Sequence, residues 1–146
     1  MKTITTFVPV LTLDNAITNI DFYKIAFGAK ELWRISNPDG SVHVAAFSID
    51  AVIFRLHEQR PEGKKTNPAT AGFTTVKIGL QVDDVHAIFA QAVEAGAAVI
   101  SPVTDHEYGY RQGELKDPFG HIWIIEKILS EEALNTFVAK AENQPR

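Results

Sequence analysis

The chain repeats itself, and that repeat constrains the fold more than any other feature. VPVLTL at residues 8–13 returns as KIGLQV at 77–82, and Asn15 then falls on Asp84. Phe27-Gly28-Ala29 returns as Ala95-Gly96-Ala97 with one residue deleted. Such self-similarity means two copies of one supersecondary unit, and it is read before anything else.

Periodicity says what the unit is. Phe7 to Leu13 alternates and reads as a strand. Asp14-Asn15 offers an N-cap, Ala16 to Phe27 carries apolar residues at helical spacing, and Gly28 closes the helix. Glu31 to Ile35, Val42 to Ile49 and Ala51 to Leu56 read as three further strands, with Asn37-Pro38-Asp39-Gly40 turning between the first two. The second half follows suit. Val76 to Val82 is a strand, Asp83-Asp84 caps a helix over Val85 to Ala95, and Ala97 to Ile100 is a strand. Residues 101–109 form a polar connection, and Tyr110 to Lys116 and Ile122 to Ile128 are strands flanking the Asp117–Gly120 turn.

The expected fold is α+β: tandem β-α-β-β-β modules that can pair their sheets and cover a shared concave face, because one module leaves a sheet face half-exposed. The expected organisation is a single domain over 1–146. It has module 1 at about 5–58, a linker at 59–73, module 2 at about 74–128 and a C-terminal helix at 130–141.

Composition narrows the function. A formal net charge of -4 argues against a nucleic-acid partner. No apolar run approaches the roughly 20 residues that span a bilayer, so no membrane partner is expected. The N-terminus does not read as a signal peptide, and a cytoplasmic protein is expected. The absence of Cys removes disulfides, thiolate nucleophiles and Cys-based zinc sites.

LDNAITNIDFYKIAFGAKEL, then NPDG, then LQVDDVHAIFAQAVEAGA, then YGYRQGELKDPFGHIW together resemble the glyoxalase/bleomycin resistance/extradiol dioxygenase family, the vicinal oxygen chelate proteins. The resemblance runs from about Phe7 to Lys127. It implies paired β-α-β-β-β modules forming a curved mixed sheet around a small-molecule cavity and, often, a homodimer, with modules sometimes exchanged between subunits. In metal-dependent members it implies one His, Glu or Gln ligand on the first and last strand of each module.

Carried onto this sequence, those four positions fall at Val8, Phe54, Lys77 and Ile124. Three are apolar, and an ammonium has no lone pair for a metal. No metal site and no cofactor are therefore expected. Glu126 lies two residues beyond Ile124 on the same strand face, so a shifted register would bring it inward; otherwise it is a solvated carboxylate. The histidines at 43, 57, 86, 106 and 121 show no short ligand pairing.

Period-two alternation assigns to the cavity Val8, Val10 and Thr12; Val44, Ala46 and Ser48; Val52, Phe54 and Leu56; Lys77, Gly79 and Gln81; and Ile122, Ile124 and Glu126. That cavity is mostly apolar, as suits an aromatic or lipophilic ligand. Lys77 would pair with a ligand anion or act as an amine, or else lie along the rim or pair with Glu126. Tyr108, Tyr110 and Arg111 offer stacking and directed hydrogen bonds, or else Arg111 fixes its loop through Asp105, Glu107 or Glu114. The expected ligand-binding set is Val8, Val10, Ala46, Phe54, Lys77, Tyr108, Tyr110, Arg111 and Ile124, with no catalytic residue assigned.

Three functions compete. The first is a metal-independent binder of a small apolar or aromatic molecule, of resistance or carrier type. The second is a lyase, isomerase or dioxygenase of the same family, with a shifted metal site or a metal-free mechanism. The third is a non-catalytic interaction domain.

Overall fold

The computed structural model describes residues 2–60 and 66–145. The linker expected at 59–73 therefore lies partly outside the described residues. The chain divides into two compact units, one running to Thr74 with Phe119–His121 added, the other comprising Thr75–Pro118 and Ile122 onward.

In the first unit, β1 (Val10–Leu13), α1 (Phe22–Phe27), β2 (Lys30–Ser36), β3 (Val42–Ile49) and β4 (Val52–Glu58) follow in chain order, and the short α2 (Pro68–Ala71) comes after them. The sheet order is β1-β4-β3-β2, with β1 parallel to β4 and the other pairs antiparallel. The β2–β3 turn forms because Asp39 accepts hydrogen bonds from the backbone and hydroxyl of Ser41, while Gly40 takes φ +85°. Those two hydrogen bonds hold the Asp39 carboxyl below its ordinary pKa.

Helix α1 is shorter than the periodicity predicts. Ala16 sits at φ +66°, and the Ile17 carbonyl accepts the Val42 amide instead of one four residues on. The helix therefore starts at Phe22 and buries Phe22, Tyr23, Ala26 and Phe27. Tyr23 meets Phe47 and Phe54 at ring-centroid distances of 6.0 and 5.3 Å, the centre of this core. Phe119 joins it 5.9 Å from Tyr23, and the buried His121 ring bonds the Thr12 carbonyl oxygen at 2.9 Å.

The second unit contains β5 (Lys77–Gln81), α3 (Val85–Glu94), β6 (Ala98–Asp105), β7 (Tyr110–Lys116), β8 (Ile122–Ile128) and α4 (Glu131–Glu142). Its order, β5-β8-β7-β6, reproduces that of the first sheet. The α+β architecture of two β-α-β-β-β modules is thus observed, each with its own four-stranded sheet. Asp84 caps α3 by accepting the Ala87 amide. Val85, Phe89 and Ala92 then face the sheet at helical spacing. Phe89 lies so close to Gly113 that an added Cβ there would come within 2.6 Å of its ring. Trp123 is buried, and its indole N–H donates to Asp117 at 3.0 Å. Strand β6 runs on to Asp105 through two register shifts, so most of the expected polar connection is strand.

Candidate functional site

Each sheet has one face packed on its helix and one open face, and register decides which side chains reach the open one. In the first unit, Val10 pairs with Arg55 and Thr12 with His57, while Val44, Ala46 and Ser48 oppose His57, Arg55 and Ile53. Direct partners share a face. The open face therefore carries Val10, Thr12, Val44, Ala46, Ser48, Ile53, Arg55 and His57. Val8 precedes β1 and is also exposed.

Phe54 is a correction. It pairs with Phe47 and is only 3% exposed, so it is helix-side core rather than cavity wall. Leu56, paired with Ala45 and fully buried, moves with it, and Val52 belongs to the same phase. The cause is the tight β3–β4 connection. Ile49 opposes Val52 across Asp50 and Ala51, which fixes the phase of β4 one residue away from the one expected.

The second open face follows the expected phase. Lys77, Gly79 and Gln81 pair with Ile122, Ile124 and Glu126. The β7 residues Lys116, Glu114 and Gln112 oppose those same three β8 residues, and Tyr110 opposes Ile128. Of these β7 side chains Tyr110 was in the expected set, and Gln112, Glu114 and Lys116 were not. The signal for them was available, since polar residues at 110, 112, 114 and 116 alternate with Gly113 and Leu115.

This face is polar where the first is mainly apolar. Lys77 donates to Glu114, with 2.9 Å to one carboxylate oxygen and 3.1 Å to the other. The Tyr108 hydroxyl donates to Gln112 Oε1 at 2.7 Å, and Gln112 Nε2 donates to Glu126 Oε1 at 3.2 Å. Gln81 Nε2 lies 3.5 Å from Glu126 Oε2. The Tyr108 ring stacks on His106 at 4.7 Å and meets Tyr110 and Phe137 at 5.9 and 5.6 Å. Tyr108, His106, Gln112, Glu114 and Ile124 line a hollow of about 210 Å³ beside β6.

Arg111 lies outside this group. It points with Gly113 and Leu115, in the other phase of β7, and donates two hydrogen bonds to Asp105 at 2.7 and 3.0 Å. The pair ties β6 to β7, as the loop-fixing alternative supposed. The guanidinium holds the Asp105 carboxyl below its ordinary pKa, and the same contact raises that of Arg111.

The residues present do not fit the metal centre implied by the resemblance. On the open faces stand Val8, Lys77 and Ile124, and Ile53 and Arg55 replace Phe54. None of them is a metal donor. Among the described residues, no three His, Asp or Glu side chains are grouped to hold a metal ion. Glu126 does face the open side, but its neighbours turn amide N–H groups toward it. No helix among the described residues is long and apolar enough to cross a membrane.

Comparison with known proteins agrees with this architecture. Among solved structures, a gene product of Arabidopsis thaliana is 27% identical, with a TM-score of 0.64 covering 84% of this chain and 98% of that one. TioX from Micromonospora sp. ML1 is 24% identical, with a TM-score of 0.63 covering 85% and 100%. The fosfomycin resistance protein FosX from Listeria monocytogenes shares the fold at 14% identity and a TM-score of 0.63, covering 91% and 99%. An uncharacterised protein of Mycobacterium bovis is 38% identical over 139 residues, 93% of this chain and 91% of its own length. The model of the Glyoxalase/Bleomycin resistance protein/Dioxygenase superfamily matches residues 8–125, and the chain belongs to that superfamily.

Proposed function

We propose that this protein binds a small, largely aromatic molecule on its open sheet faces without an active-site metal, as a resistance- or carrier-type binder. The observation that carries this reading is the chemistry of the faces. Apolar or cationic side chains stand where a metal centre needs His, Glu or Gln donors, while the second sheet holds an aromatic-edged hollow. Of the expected ligand contacts, Val8, Val10, Ala46, Lys77 and Ile124 keep their open-face positions, Tyr108 lines the hollow, and the Tyr110 ring lies 5.9 Å from that of Tyr108. Phe54 and Arg111 act structurally instead. A thermal-shift screen of aromatic compounds in chelator tests the reading. A ligand at a hundredfold its Kd raises the midpoint by about 5–10 °C. A ligand that stabilises only after metal addition favours the lyase, isomerase or dioxygenase alternative.

We also propose a homodimer. Trp33 and Ile35, on the β2 edge, leave that side of the first sheet's open face apolar, 46% and 54% exposed. An exposed apolar face of this kind is suited to a second copy.

A further inference from the structure

We infer that the polar end of the second sheet is an organic-cation subsite, with the Glu126 carboxylate as its charge reader. The inference rests on the binding reading above and adds the chemical class of the ligand's head group. Three acids stand on this sheet. Asp105 is bound by Arg111 and Glu114 by Lys77. Glu126 is held only by the neutral amides of Gln81 and Gln112, and among the described residues no Lys, Arg or His nitrogen lies within 4.0 Å of it. It is a half-buried carboxylate with its hydrogen-bond geometry set and its counter-charge missing.

The geometry around it suits an ammonium group. Gln112 accepts from the Tyr108 hydroxyl through its oxygen and so presents its N–H to the carboxylate. Gly79 opens one flank. The heavy atoms nearest to a methyl placed on it all belong to the Glu126 carboxyl group, the first at 3.7 Å, so the glycine leaves that side of the carboxylate uncrowded. Two residues that line the hollow lead to Glu126: Gln112, which bonds it, and Ile124, two residues back on the same strand face. The Tyr108–His106 stack stands at the edge of that hollow. A carboxylate beside aromatic rings recognises a cation through charge-assisted hydrogen bonds and ring-face attraction. Lys77 is already held by Glu114. The 210 Å³ hollow is smaller than the roughly 300–1,000 Å³ of whole-ligand pockets, so it holds one end of a molecule.

The test is calorimetric titration of the full chain, in chelator, with 2-phenylethylamine and its neutral isostere 2-phenylethanol. The expected result is about tenfold tighter binding of the ammonium compound, a preference that shrinks as salt is raised. Glu126→Gln should abolish the preference while leaving the melting midpoint nearly unchanged. Salt dependence in the native protein provides the check should that variant fold poorly. Equal binding of the two compounds, or a preference that survives Glu126→Gln, overturns the cation subsite and leaves the binding reading standing. Binding of neither compound overturns both.

Discussion

Phe54 and Val10 sit on opposite faces of adjacent strands, and their substitutions separate core from site. Phe54→Ala removes a ring packed against Tyr23 and Phe47 and should cost about 3–5 kcal/mol in urea denaturation. Val10→Ala trims a half-exposed side chain and should cost under about 1 kcal/mol while weakening ligand binding. If the two costs were reversed, the register assigned to β4 would be wrong. The sequence VIFRLH at 52–57 has one wholly apolar phase, Val52/Phe54/Leu56, and one mixed phase, Ile53/Arg55/His57. Alternation alone favours burying the apolar phase. Placing Phe54 at a ligand position by family resemblance overrode that physics, and the Phe47–Phe54 pairing restores it. On β8 the resemblance and the alternation agreed, which is why Ile124 and Glu126 were legible and Phe54 was not. The Gln112–Glu126 bond depends on cross-strand register, which one strand read by itself does not contain.

The strands with strong turn chemistry at their ends were legible nearly to the residue, namely β3, β7 and β8. Helix α1 was not, because the left-handed Ala16 and the Ile17 carbonyl bound to β3 are tertiary choices that overrule a helical pattern. Two predictions concern how elements are fastened. Gly109 takes φ +94°, and a Cβ there would lie 2.7 Å from the Ser130 carbonyl oxygen at the start of α4. Gly109→Ala should therefore cost at least about 1–3 kcal/mol locally and raise amide exchange along α4, with the Trp123 core still protected. The Asp105–Arg111 pair fastens β6 to β7 by charge. Because the folded carboxyl titrates below its ordinary value, the stabilisation is full above the unfolded pKa of Asp. It is lost as pH falls through the lower folded one. Asp105→Asn should remove that part of the acid dependence of stability and leave the neutral-to-alkaline limb unchanged.

Both units repeat one plan, but they present different chemistry. The first open face is apolar, with Arg55 and His57 toward one end; the second carries the Lys77–Glu114 pair and the Gln81–Glu126–Gln112–Tyr108 chain. If a second copy covers the apolar face, light scattering on size-separated protein should give twice the 16.1 kDa chain mass. Replacing Trp33 and Ile35 with Ser should shift the mass toward monomer. A wild-type monomer at every concentration would contradict the dimer. The central claim, recognition without a metal centre, is tested most directly by measuring metal content in protein purified without added metal or chelator, then titrating nickel, zinc, manganese and ferrous iron. The account predicts metal well below one equivalent per chain and no saturable tight binding. One tightly bound metal per chain would contradict it and would place a ligand set on the open faces that these residues do not supply.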